Sequence, residues 1–103
     1  MTHPTLPGQP HIAYRDQQLF AEGVSTSDLA RQYATPLFVY SKAAMLGALA
    51  AYQRGFAGRR AQICYAMKAN SSLAVLQVFA QAGCGFDIVS GGELERALAV
   101  GAD

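Results

Sequence analysis

Residues 63–70 read ICYAMKAN, an apolar run that ends in a lysine and an asparagine. Its two alternating faces are both apolar, which is typical of a covered strand in a parallel sheet. The chain has only two lysines, and the other, Lys42, lies where a surface helix should begin. Burial at the edge of an apolar interior lowers the pKa of an amine and prepares it to attack a carbonyl group. Lys68 is therefore a candidate Schiff-base lysine; the alternative is an ordinary strand-end lysine that extends into solvent.

Strand and helix patterns alternate on both sides of this run. Apolar segments at 37–40, 63–67 and 86–89 predict three strands, and each is followed by apolar residues at helical spacing. Ser41 is suited to cap the first of these helices. Repeated strand–helix units with short loops predict an α/β fold with a parallel sheet, either open or closed into a barrel.

The first third of the chain has a different pattern. Residues 1–11 are polar and rich in proline, and they predict a disordered tail. Two short β-type segments flank residues 16–18 and predict a hairpin, and a short helix is predicted over 28–33. We therefore expect three regions, namely a tail at 1–11, strands and a helix at 12–34, and strand–helix units at 35–103.

Composition and charge exclude several classes of protein. The chain is 51% hydrophobic and 15% charged, with a net charge of +1 and scattered arginines, so nothing indicates a nucleic-acid partner. The N-terminus lacks the pattern of a signal peptide, and the longest apolar stretch, 43–52, is about half a membrane span. We expect a cytoplasmic protein without a membrane partner. Cys64 and Cys84 have no nearby cysteine or histidine, so they predict two buried thiols and no metal site.

Polar groups lie at the predicted carboxyl ends of neighbouring strands, where parallel α/β proteins bind ligands. Period-two alternation places Cys64, Ala66 and Lys68 on one face, and the small residues leave room beside the lysine. Asp87 interrupts the next apolar strand, so we expect an ion pair with Lys68, either structural or tuning a catalytic amine. The glycine-rich turn at 90–93 can present backbone N–H groups to an anion, although such turns are common.

Several segments, in this order, resemble the barrel-fold pyridoxal-phosphate decarboxylases. The sequence YAMKAN at 65–70 looks like the family's cofactor-lysine motif. The sequence GCGFDIVSGGEL at 83–94 is similar to the next strand and turn of that family, at the matching distance. Upstream, TPLFVY at 35–40 and residues 14–24 resemble the branch that acts on diaminopimelate.

The resemblance implies the N-terminal part of a (β/α)8 TIM-like barrel of the alanine racemase and decarboxylase type. The strands within 12–34 would join a separate β domain. Lys68 would bind pyridoxal 5'-phosphate as a Schiff base, with Ala66 and Asp87 beside the cofactor and Asp87 in contact with the lysine. The implied enzyme is a homodimer that converts meso-2,6-diaminopimelate, an amino acid, to L-lysine and CO2. The alternatives are an ornithine, arginine or carboxynorspermidine decarboxylase of the same fold, or a non-catalytic α/β module.

A complete barrel of this type needs roughly 250 residues, so this chain would supply only its opening units. By the same resemblance, the family's phosphate site, pyridine partner and general acid would all lie beyond residue 103. We therefore expect the 103-residue chain on its own to be inactive.

Overall fold

The computed structural model describes residues 5–103, and residues 1–4 of the predicted tail lie outside this range. The chain divides into two compact units, Met1–Met45 and Leu46–Asp103. The boundary lies within a helix, α2 (Lys42–Gly55), whereas the sequence pattern predicts a change of organisation after residue 34.

The first unit contains a three-stranded antiparallel sheet followed by a helix. The strands β1 (Ile12–Arg15), β2 (Gln18–Ala21) and β3 (Val24–Ser25) pair in chain order. Helix α1 (Thr26–Tyr33) begins directly after β3, because the Ser25 Oγ accepts a hydrogen bond from the Asp28 N–H at 3.1 Å. The predicted hairpin and short helix are confirmed.

The turn between β1 and β2 contains no glycine. Asp16 and Gln17 connect β1 to β2 with φ angles of 49° and 64°, and two successive positive φ angles match the twist of a tight hairpin. Before β1, residues 7–11 also form turns, in which the N–H groups of His11 and Ile12 donate to the Gly8 carbonyl oxygen at 2.9 and 3.1 Å. This part of the expected tail therefore has hydrogen-bonded structure.

The prediction of a strand at residues 37–40 is wrong. No strand within residues 5–103 pairs with this segment, and Phe38 and Tyr40 are 89% and 55% exposed. A strand is held by hydrogen bonds to a neighbour, which an apolar pattern alone does not provide. Ser41 does cap α2 as predicted, since its Oγ accepts a hydrogen bond from the Ala44 N–H at 3.0 Å.

The second unit contains two strand–helix repeats. Strand β4 (Cys64–Ala66) leads through a 3-10 turn (Met67–Ala69) into α3 (Leu73–Gln81), and β5 (Gly85–Asp87) leads into α4 (Gly91–Ala99). The two strands are parallel, and both are shorter than predicted. This confirms the predicted α/β pattern with a parallel pair of strands.

One face of the parallel pair carries the core of the second unit. The buried cluster consists of Met67, Leu76 and Ala97, and the side chains of Met67 and Leu76 are fully buried. Tyr65 and Phe86 are register partners on β4 and β5 and pack against this cluster. Because side chains alternate along a strand, the residues on either side of Tyr65 in β4 and of Phe86 in β5 face the other side of the sheet.

Helix α2 is 14 residues long and buries only Leu49. Tyr52 and Phe56, which the helical spacing predicts on the same core face, are 61% and 46% exposed. Neither α2 nor any other helix in the described range is long and apolar enough to span a lipid bilayer.

Candidate active site

The carboxyl ends of β4 and β5 bring two of the predicted site residues together. Ala66 and Asp87 are register partners, so their side chains project from the same face of the sheet. This is the face opposite Tyr65 and Phe86, and we call it the open face. Ala66 is half-buried and the Asp87 carboxylate is exposed. The open face thus offers a small apolar side chain beside an acid.

Lys68 follows directly, but it does not lie on β4. The strand ends at Ala66, and the 3-10 turn inserts Met67 fully into the core while Lys68 remains exposed. The predicted alternation of Cys64, Ala66 and Lys68 along one strand is therefore wrong at its last member. Burial of the Met67 side chain accounts for the turn, since a fully buried methionine contributes about 1.5–3 kcal/mol.

The predicted ion pair between Lys68 and Asp87 is absent. Within residues 5–103 the structure has one ion pair, between the exposed side chains of Arg31 and Asp28. Lys68 and Asp87 are both exposed, so solvent hydrates each charge and neither needs the other as a partner. The amine and the carboxylate are therefore both available to a third group.

The turn that carries Lys68 is held by hydrogen bonds on its C-terminal side. The Tyr65 hydroxyl donates to the Asn70 carbonyl oxygen at 2.8 Å, and the Asn70 Oδ1 accepts from the Ser72 N–H at 2.9 Å. From α4, the guanidinium of Arg96 donates to the Ser71 carbonyl oxygen at 3.0 Å. The sequence prediction did not include these contacts. An asparagine after a strand is a recognisable turn signal, whereas nothing local indicates Arg96.

The turn after β5 is a helix cap. The Ser90 Oγ accepts a hydrogen bond from the Glu93 N–H at 3.2 Å, and the Glu93 carboxylate accepts one from the Val89 N–H at 2.7 Å. This reciprocal arrangement resembles a capping box and uses two of the donors that an anion would need. The geometry therefore favours the capping interpretation of residues 90–93 over the anion-binding one.

The two cysteines differ in their surroundings. Cys84 is buried and its thiol donates to the Ile63 carbonyl oxygen at 3.3 Å, whereas Cys64 lies on the open face and is exposed. Burial raises the pKa of the Cys84 thiol, and a hydrogen bond with the Tyr65 backbone partly opposes this effect. The prediction of two buried thiols is thus wrong for Cys64, because that residue points away from the helices. Residues 5–103 contain no group of three candidate metal ligands.

A cleft of about 230 Å³ opens at the other end of the strands. Its lining comes from the C-terminal part of α2, the segment before β4 and the segment before β5, namely Gln53, Phe56, Ala61, Gln62, Ile63, Gly83 and Cys84. Lys68, Ala66 and Asp87 follow or end the strands and do not line it. The chemistry predicted for this chain therefore belongs to the carboxyl ends of the strands and not to this cleft.

Comparison with known proteins gives a consistent result. Residues 43–103 match the family model described as the pyridoxal binding domain of pyridoxal-dependent decarboxylases. The chain is 53% identical to the diaminopimelate decarboxylase of Pseudomonas aeruginosa over 92 residues, which covers 89% of this chain and 22% of that protein. It is also 53% identical to the diaminopimelate decarboxylase of Vibrio cholerae over 88 residues, which covers 85% of this chain and 21% of that protein.

A solved structure extends the likeness to the fold. The diaminopimelate decarboxylase of M. jannaschii, in complex with L-lysine, superposes with a TM-score of 0.85 at 33% identity. The superposition covers 92% of this chain and 23% of that one. The predicted fold class, part of an α/β barrel decarboxylase, is confirmed by this match. The chain spans about a fifth of the length of the curated relatives it matches.

Proposed function

The chain belongs to the pyridoxal-dependent decarboxylase family, and on this basis we propose that the complete protein carrying it converts meso-2,6-diaminopimelate to L-lysine and CO2. The substrate assignment is supported by sequence identities of 50–53% to proteins named diaminopimelate decarboxylase. Since the chain spans about a fifth of those proteins, activity and substrate are proposed for the complete protein.

The observation that carries this proposal is the arrangement at the carboxyl end of β4. Lys68 presents an exposed amine that has no hydrogen-bonding or ionic partner within residues 5–103. The motif is fixed on both sides of this amine, because Met67 is fully buried and the Asn70 carbonyl oxygen is hydrogen-bonded. The burial that the sequence pattern suggests for Lys68 is not observed, so the support for covalent attachment of a carbonyl cofactor is an accessible amine on a fixed turn within the matched family region.

The residues present fit pyridoxal phosphate. Lys68 would hold the cofactor through Nζ, and Ala66 and Asp87 would lie beside it. On the open face, Ala66 contributes only a half-buried methyl group, and Asp87 is exposed. When bound, the cofactor supplies an electron sink for the electrons released as the α-carboxylate leaves as CO2.

The remaining roles belong to side chains of this chain. Lys68 Nζ would hold the cofactor, and it is the group of this chain that could give a proton to the reacting atoms or take one from them. The Asp87 carboxylate can accept a hydrogen bond from that amine and so fix its direction. Ala66 leaves room for a planar ring next to both groups.

Borohydride trapping in the complete protein tests the assignment of Lys68. We expect reduction in the presence of pyridoxal phosphate to label the peptide that contains Lys68, as detected by mass spectrometry. The matched control is the chain's other lysine: Lys42→Ala should leave the labelling unchanged, whereas Lys68→Ala should abolish it and lower CO2 release by about three orders of magnitude or more. Labelling of a different lysine would remove the basis of the proposal.

Substrate choice needs a separate assay. The proposed role of Lys68 is the same for every substrate of this family, so ornithine, arginine and carboxynorspermidine are the competing substrates. We expect CO2 release from meso-2,6-diaminopimelate at a kcat/KM well above that for each competitor. Release from ornithine or arginine alone would move the protein to another branch of the family, and no CO2 release from any of them would favour a non-catalytic α/β module. A homodimer and a cytoplasmic location stay predictions.

A further inference from the structure

The turn that bears Lys68 and the residues that follow it are held by contacts with other parts of the second unit. On its N-terminal side, the Met67 side chain is enclosed in the cluster with Leu76 and Ala97. On its C-terminal side, the Asn70 carbonyl oxygen accepts from the Tyr65 hydroxyl, and the Ser71 carbonyl oxygen accepts from a guanidinium. The Lys68 side chain itself is exposed.

Two adjacent residues of α4 contribute to this arrangement. Ala97 packs in the cluster around Met67, and Arg96 NH1 donates to the Ser71 carbonyl oxygen across a sequence separation of 25 residues. Helix α4 is in turn fixed at its start by the Ser90 and Glu93 cap that follows β5. The helix after β5 therefore contacts both sides of the turn after β4.

We propose that Arg96 is a positioning residue for Lys68, which it holds in place through the Ser71 carbonyl oxygen. The inference rests on the proposed role of Lys68 as the cofactor lysine. The planar guanidinium presents several N–H donors in a fixed arrangement, which suits it to hold a backbone carbonyl oxygen in one position. A turn that is ordered in advance loses less conformational entropy when a ligand binds to it, and this raises affinity.

The test uses the complete protein with Arg96→Met, which keeps much of the length of the side chain and removes its donors. Two quantities are measured: the pyridoxal phosphate concentration that half-saturates borohydride labelling of Lys68, and hydrogen exchange in the peptide spanning residues 67–72. We expect each to rise about fivefold, the factor that corresponds to one typical protein hydrogen bond. Arg96→Lys, which retains a charged donor, should recover part of the loss.

The matched control is Arg31→Met, because Arg31 is also an exposed arginine in the last turn of a helix. It should change neither quantity. Unchanged labelling and exchange in Arg96→Met, with Lys68 still labelled, would overturn this inference and leave the proposed function intact. A lowered melting temperature with faster exchange throughout the protein would also overturn it, since Arg96 would then serve general stability. No labelling of Lys68 in the unmodified protein would instead refute the proposed function.

Discussion

The antiparallel sheet of the first unit and the parallel pair of the second unit differ in how the chain connects their paired strands. Strands β1, β2 and β3 follow one another within residues 12–25, and tight turns at 16–17 and 22–23 connect them. Strands β4 and β5 are parallel, so a crossover through α3 must return the chain to the same edge. Each parallel strand consequently ends in its own loop, one with Lys68 and one with Ser90. Parallel pairing thus collects side chains for chemistry at one edge, and the short hairpins do not.

The units also differ in how they bury side chains. The second unit contains the two fully buried large side chains, Met67 and Leu76. Among the described residues of the first unit, the buried ones are the small residues Ala21, Ser25 and Ser41. The turn that carries Lys68 therefore belongs to the better-packed unit, which suits the role proposed for that lysine.

Truncating one large apolar side chain in each unit should produce the largest difference. Met67→Ala removes a fully buried side chain and should lower the free energy of unfolding by about 3 kcal/mol. Leu19→Ala on β2 removes a half-buried side chain and should cost about 1 kcal/mol. Urea denaturation followed by circular dichroism measures both. Equal losses would show that the deeper burial in the second unit does not contribute more to the free energy of unfolding.

Alanine substitutions at two glycines, one in each unit, should differ by a smaller free energy of unfolding. A Cβ at Gly85 on β5 would lie 2.8 Å from Gln62 Nε2 and 2.9 Å from Cys64 Sγ, whereas a Cβ at Gly23 would contact nothing within 4 Å. Gly85→Ala should lower the free energy of unfolding by about 1 kcal/mol. The Gln62 side chain is flexible and can move away, so the cost comes from displacing the Cys64 thiol on β4. Gly23→Ala should stay within about 0.5 kcal/mol of the unmodified protein in the same urea experiment. A loss at Gly23 as large as that at Gly85 would contradict the close packing between β4 and β5.

The smallest effect is a difference in reactivity between the buried Cys84 and the exposed Cys64. Burial raises the pKa of the Cys84 thiol, so iodoacetamide should label it more slowly than the exposed Cys64 at pH 8, as mass spectrometry of the two peptides can show. A raised pKa in the folded state means that stability from the neutral Cys84 thiol is present below its unfolded pKa. That stability is lost as the pH rises above the ordinary value of 9.0 and through the folded pKa. In concentrated urea the two cysteines should react alike, and a persistent difference there would exclude burial as the cause.

Local signals in the sequence were sufficient for much of the fold. The hairpin of β1 and β2, the Ser41 cap and the repeated strand–helix order were predicted from turn residues, capping residues and apolar spacing, and the structure confirms them. The segment at 37–40 shows the limit of such signals, because an apolar run cannot specify which strand will pair with it. The site roles of Lys68, Ala66 and Asp87 stay predictions.

At the site itself, the sequence determined the identity of the groups and the family motif, because residue type and short spacing are local properties. It placed Lys68 at the end of a buried strand and Asp87 on the next strand, and the structure puts Ala66 and Asp87 side by side. Only the tertiary structure decided that β4 ends at Ala66, that Lys68 and Asp87 remain exposed and unpaired, and that Arg96 reaches the lysine-bearing turn. These features depend on the burial of Met67 and on contacts between residues far apart in the chain. Their free energies arise only once the strands and helices have packed together.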